Sequence, residues 1–265
     1  MTTLTFYGGV NEIGGNKILL KDRDTKIFLD FGMSFSLKSQ YYSEPFLSPK
    51  DEKSLLEFGL LPNLPGIYKF DNSRPEIDGI VLSHSHMDHS AYISFLKRDI
   101  PVYCGETTAT ILKAFNEMRT GFEYNIDDVE FKTFRTGDVV KIGPVEVEPI
   151  HVDHSIPGSY GLIAHTSSGA VVYTGDFRLQ GTRPEMSEEF VERAREAEPL
   201  AAVTEHTNMT NAEISSEPEV LEKISQFVRQ TEGLVLADFA RADVDRLRSF
   251  SVSYTHLTLP TNREV

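Results

Sequence analysis

The stretch LSHSHMDHSAY (82–92) places His84, His86, Asp88 and His89 within six positions of a chain that holds eight histidines in 265 residues. Imidazole and carboxylate are the donors that divalent transition metals accept. In an extended loop, side chains two residues apart point the same way, so His84 and His86 can grip one ion together. Asp88 and His89 fall where a helix over 90–98 is expected to begin. A helix start turns the chain, so these two can face a neighbouring ion. The spacing therefore predicts one metal on each side of a short segment. Further donors must come from elsewhere.

The elements that hold this cluster are legible in the pattern. LTFYG (4–8), KILLK (17–21) and KIFLD (26–30) read as strands, and GGVNEIGGN (8–16) as a tight loop with close backbone approach. Residues 36–75 read as a long irregular connection. DGIVLSH (78–84) is a buried strand leading into the cluster. SAYISFLKR (90–98) and ETTATILKAFNEMR (106–119) are helical by the spacing of their apolar residues. Strands are expected at 130–135, 138–142 and 144–150, then a hairpin of 160–166 with 169–175. A charged amphipathic helix (185–197), a strand (200–205), a helix (217–230), a strand (233–238) and a helix (241–250) complete the order. Strands first and βαβα later suggest two architectures in one chain.

His84-x-His86-x-Asp88-His89 after a buried strand resembles the signature of the metallo-β-lactamase fold. That resemblance implies an αββα sandwich in the α/β class. It also implies two downstream ligands at strand ends: a histidine, matched by His154 in VDHSIPGSYG (152–161), and a bridging aspartate, matched by Asp176 in YTGDFR (173–178). The HSIPGS context favours His154 over His151. Asp30 in IFLDFG (27–32) matches the carboxylate that orients a liganding histidine. By the resemblance, His84, His86 and His154 hold one metal, Asp88 and His89 the other, and Asp176 bridges. The metals are two divalent ions, zinc first and manganese as the alternative. His165, in a strand body, reads as structural.

FYGGVNEIGGN (6–16), HSIPGS (154–159) and TGDFR (174–178) further resemble ribonuclease J and its archaeal relatives in the β-CASP group of nucleases. That group carries an acidic residue in a short E-x-T or D-x-T motif. LAAVTEHTN (200–208) offers Glu205 and Thr207, with His206 where a small residue is usual. The resemblance implies a hydrolase that cleaves single-stranded RNA by a two-metal hydroxide mechanism, in 5′-to-3′ exonuclease or endonuclease mode. Asp88, Asp176 and Glu205 would be its catalytic residues, and Ser155, His206 and Arg241 would contact substrate. Arg246 and Arg248 read equally well as backbone-binding or as a solvated helix face. The alternatives are a thioester or lactone hydrolase of the same fold, and a non-catalytic relative that binds RNA or a partner.

The expected domains are a lactamase-like unit over 1–208 and the truncated start of a β-CASP domain over 209–250. The tail, 251–265, is Thr-rich and strand-like, and VSYTHLTLPT within it resembles a translated sequencing adapter. It reads as non-native. The last histidine ligand and a general-acid histidine would then lie beyond this segment, which by itself would be inactive. A homodimer remains open.

Composition limits the partners. The net charge of −14 excludes a broadly basic surface for nucleic acid, though not a metal centre that supplies the positive charge. Cys104 is the single cysteine, so no internal disulfide forms and a reducing cytoplasm is expected. Neither a membrane span nor a signal peptide is expected.

Overall fold

The computed structural model describes residues 1–43, 46–118, 125–207, 215–240 and 242–258. Two sheets face each other. The first has six strands in sequential order: β1 (Thr2–Phe6), β2 (Ile18–Asp22), β3 (Thr25–Leu29), β4 (Gly79–Val81), β5 (Val102–Gly105) and β6 (Phe131–Phe134). The second has five, in the order β11-β10-β9-β8-β7, built from β7 (Val140–Ile142), β8 (Val145–His151), β9 (Tyr160–Thr166), β10 (Gly169–Tyr173) and β11 (Ala201–Val203). Strands β3 to β6 run parallel, as do β10 and β11.

Alternation along the strands decides the layers, because successive side chains point to opposite faces. Leu20, Ile27, Leu29 and Val81 of the first sheet meet Val145, Val147, Leu162 and Tyr173 of the second in the central core. Leu19, Phe28 and Ile80 point the other way, onto an outer layer with Tyr92, Phe95 and Leu112. Ile163 and Val172 point outward from the second sheet onto Phe190 of α5 (Pro184–Glu196). Helices therefore cover both outer faces, which is the αββα sandwich. The remaining helices are α1 (Phe35–Tyr41), α2 (Glu52–Glu57), α3 (Met87–Ser90), α4 (Glu106–Met118), α6 (Glu217–Gln230) and α7 (Val244–Thr258).

Four expectations are corrected. The connection 36–75 is not wholly irregular: Ser34 caps α1, and Asp51 with Ser54 forms a capping box on α2. The helix expected over 90–98 starts earlier and is shorter. Asp88 and His89 lie inside α3, and Ala91–Phe95 continues as a 3-10 turn. Residues 233–238 form no strand. Leu234 and Leu236 are exposed, and a segment without a pairing neighbour among the described residues cannot complete a ladder. Finally, 251–258 is helical rather than strand-like. Buried Ser253 joins α7 to α6 through Ser225 Oγ at 2.7 Å, and residues 259–265 lie outside the described residues.

Candidate metal centre

The chemistry-bearing residues leave the C-terminal ends of β3, β4, β8, β10 and β11, which gather at one edge of the sandwich. The segment 87–89 is clamped there by backbone bonds. Phe31 N donates to His89 O (2.8 Å), Met33 N to Met87 O (3.0 Å) and Asn16 N to Asp88 O (3.0 Å). The approach is so close that a Cβ at Gly32 would sit 1.7 Å from Asp88 O.

Four donor groups converge from three strand ends. His86 Nδ1 lies 3.0 Å from His84 Nε2 and 3.1 Å from His154 Nε2. Asp176 Oδ2 lies 3.9 Å from His84 Nε2 and 3.7 Å from His154 Nε2. Beside them, His89 Nε2 lies 3.2 Å from Asp176 Oδ1 and 3.7 Å from Asp88 Oδ2. Asp176 is thus shared by both groups, and within each group the donor atoms all lie within 4.8 Å of one another.

Asp30 anchors the arrangement. It is fully buried and adopts φ +59°, a conformation that costs a non-glycine residue energy. Four donors hold it there. Ser83 N reaches Oδ1 at 2.7 Å; Ser83 Oγ, Tyr173 OH and His89 Nδ1–H each reach Oδ2 at 2.6 Å. The last bond leaves His89 Nε2 aimed at Asp88 and Asp176. Ser83 Oγ also lies 2.9 Å from His84 Nδ1. Asn16 Nδ2 stands 3.0 Å from His89 Nε2. Sequence reasoning missed Ser83, Tyr173 and Asn16. The first directly precedes His84, and the second ends the strand before Asp176. Only Ser83 carried a usable signal, its adjacency to the cluster.

The electrostatics divide the two groups. Burial lowers the pKa of His84 well below its ordinary value, and the surrounding imidazoles push it the same way. Burial likewise brings His154 down to about 3, against the opposing pull of Asp176. These rings stay neutral and keep their lone pairs for a cation. Burial would also lower His89, but Asp30 and Asp176 override it and raise the pKa well above the ordinary value. The position between His89 Nε2 and the carboxylates therefore demands a positive charge, whether proton or metal. Burial would raise Asp176, yet the histidines hold it at about 2. Three imidazoles with a carboxylate, next to an imidazole with two carboxylates, make a donor set that fits divalent ions.

A cavity of about 620 Å³ opens on the His89 side, lined by Asn11, Glu12, Asp88, His89, Asp176 and the Glu205–Thr207 stretch. Glu205 Oε1 accepts from Phe177 N at 3.1 Å and Oε2 from Thr207 Oγ1 at 2.6 Å, so this carboxylate braces the loop behind Asp176. His206 lines the same cavity. Ser155 is partly buried and does not line it. Arg241 lies outside the described residues. Arg246 is committed elsewhere, donating to Glu217 Oε1 at 2.7 Å. His151 turns away to Thr136 Oγ1 at 2.9 Å, and His165 sits 3.6 Å from Glu148.

A family model described as a beta-lactamase superfamily domain matches residues 60–223. Ribonuclease J of Sinorhizobium meliloti is 31% identical over 192 residues, covering 70% of this chain and 33% of that protein. Ribonuclease J 2 of Streptococcus pyogenes is 27% identical over 257 residues, covering 94% of this chain and 42% of its own length. The chain thus spans about a third to two-fifths of these relatives. The crystal structure of a protein of unknown function from Enterococcus faecalis V583 superposes with a TM-score of 0.78 at 25% identity, covering 94% of this chain and 62% of that one.

Proposed function

Because this chain belongs to the metallo-β-lactamase superfamily, whose fold implies divalent metal binding, we propose that the protein it represents is a zinc-dependent ribonuclease of the β-CASP kind. On this reading 209–250 begins the second domain, single-stranded RNA is the substrate, and the compartment is the cytoplasm. Among the described residues, no helix is long and apolar enough to cross a membrane.

The observation that carries the reading is the position of Glu205, His206 and Thr207 in the wall of the cavity onto which Asp88, His89 and Asp176 open. A lactamase-fold hydrolase of thioesters or lactones has no need of that E-x-T element. The similarity to ribonucleases J supports the same choice.

His84, His86 and His154 would hold one ion, Asp88 and His89 the other, with Asp176 between them. Ions bound there would supply positive charge to a phosphate and would lower the pKa of a water. The protein's own part is geometric. Asp30 fixes the His89 ring, and Glu205 fixes the Asp176 loop and presents a carboxylate to orient an acid near the leaving oxygen. The carboxylates of Glu12, Asp88, Asp176 and Glu205 line the cavity, and among the described residues its lining includes no lysine or arginine, so an anionic substrate enters only once cations offset them.

Metal analysis combined with cleavage of 5′-monophosphorylated RNA tests the proposal, on this chain and on one extended to the length of its relatives. The extended form should bind zinc and release nucleotides carrying a 5′-phosphate. Zinc binding without RNA cleavage would transfer the assignment to another hydrolase of the fold.

A further inference from the structure

Outside the ligand set, a partly buried charge network connects the metal centre to α6 and α7. Arg178 is two residues beyond Asp176, and Asp153 directly precedes His154. Arg178 Nε donates to Asp153 Oδ1 at 3.1 Å, and Arg178 N donates to Asp153 O at 2.8 Å. Ser187 Oγ accepts from Asp153 N and donates to Arg178 O, each at 2.9 Å. Arg183 N donates to Asp153 Oδ2 at 2.8 Å. The His154 and Asp176 loops are therefore knitted into one unit. The other end of the Arg178 guanidinium reaches α6 and α7. Its Nη2 pairs with Asp245 in the first turn of α7, and its Nη1 lies 3.9 Å from Glu217 Oε1 at the start of α6. Glu217 in turn accepts from Arg246 of α7 and donates its backbone N–H to Gln180 O at 3.0 Å.

Such an arrangement costs several charged groups their water. The cost is offset only when every partner is in place. A guanidinium meets this need because its rigid planar fork holds five donors at fixed angles and spans partners on two sides, where an ammonium is a single compact point charge. Loss of either end leaves the other charge under-satisfied in a buried setting and frees the two ligand loops.

We infer that Arg178 is a positioning residue that holds the His154 and Asp176 loops against α6 and α7, so that the seating of these helices sets the metal affinity of the centre. The inference rests on the reading of the histidine–aspartate cluster as a metal site. It adds a consequence. Whatever moves α6 and α7, such as RNA entering beside them, changes how tightly His154 and Asp176 hold their ions.

Zinc affinity of the intact chain, measured by competition with a chromophoric chelator, is the test. It is run where circular dichroism shows each variant folded. Arg178→Lys should weaken zinc binding about 10- to 100-fold, the usual effect of losing a group that orients metal ligands. Asp245→Asn, on α7 and in contact with no ligand, should weaken it roughly 2- to 30-fold. Arg193→Ala breaks exposed pairs on α5 and should leave affinity unchanged. Full zinc affinity in Asp245→Asn would overturn the inference, and that variant decides alone if Arg178→Lys does not fold. A lower unfolding temperature with unchanged zinc affinity would mark the network as structural only. Absence of zinc binding by the unaltered chain would instead remove the metal reading, and this inference with it.

Discussion

At the scale of single residues, the centre depends on one buried carboxylate. Asp30 collects four donors, in a left-handed backbone conformation that is uncommon for a non-glycine residue. Its negative charge, together with that of Asp176, raises the His89 pKa against burial. Asp30→Asn keeps the shape and removes the charge. It should weaken zinc at the Asp88–His89–Asp176 group by about 10- to 100-fold, while the group formed with His84, His86 and His154 changes less. A two-site zinc titration separates the two outcomes, and unchanged zinc affinity at the Asp88–His89–Asp176 group would refute the role given to Asp30. The donors His84, His86, Asp88 and His89 were readable in the sequence because they crowd into one short segment, and His154 and Asp176 through the resemblance of their motifs. Ser83 and Tyr173 were not, because a hydroxyl near a strand end has many uses.

At the scale of elements, the glycine-rich loop 8–16 and the turn after β3 form a bed for α3. Gly32 lies against the backbone of Asp88, and Lys17 Nζ ties Gly15 O to Gly32 O at 2.9 Å each. Gly32→Ala would drive a methyl group into Asp88 O, a backbone atom that cannot swing aside. The substitution should cost about 1–3 kcal/mol or more, as overpacking of a tight site does. Urea unfolding measures this, and a loss below half a kcal/mol would show that the bed yields. The strands of the sandwich were legible as short apolar runs between turn residues, since β2, β3, β9 and β10 are buried on both faces. The short α3 and its 3-10 continuation were not legible. Their form follows from the clamp on 87–89, which no local pattern encodes.

At the scale of the whole molecule, charge governs the response to pH. The chain carries 40 acidic and 26 basic side chains, and raising the pH adds to its self-repulsion. Lys17 works against this trend. Burial brings its pKa from 10.5 down to about 8, with Glu12 opposing. Between those two values the unfolded chain holds a proton that the folded chain lacks, so this residue makes stability rise with pH. Below about pH 8 both states hold the proton and its slope vanishes. Urea midpoints from pH 7 to 9.5 should therefore fall more steeply, or rise less, in Lys17→Met than in the unaltered chain. Parallel curves would contradict the assignment.

The sequence by itself determined the donor types, their spacing in His84-x-His86-x-Asp88-His89 and the short apolar runs that become strands, while the candidates His154, Asp176 and Asp30 followed from the resemblance of their motifs to the metallo-β-lactamase signature. These are properties of short covalent runs, where the period of a strand or turn places side chains without reference to the rest of the chain. The tertiary structure alone decided which groups complete them. Tyr173 meets Asp30 across 143 positions, and Arg178 meets Asp245 across 67. It also decided that, among the described residues, Leu234 and Leu236 join no ladder, though their segment reads as a strand. A hydrogen bond or ion pair between distant residues exists only once sheet register and helix docking bring its partners within about 3 Å. Nothing in either local segment records that meeting.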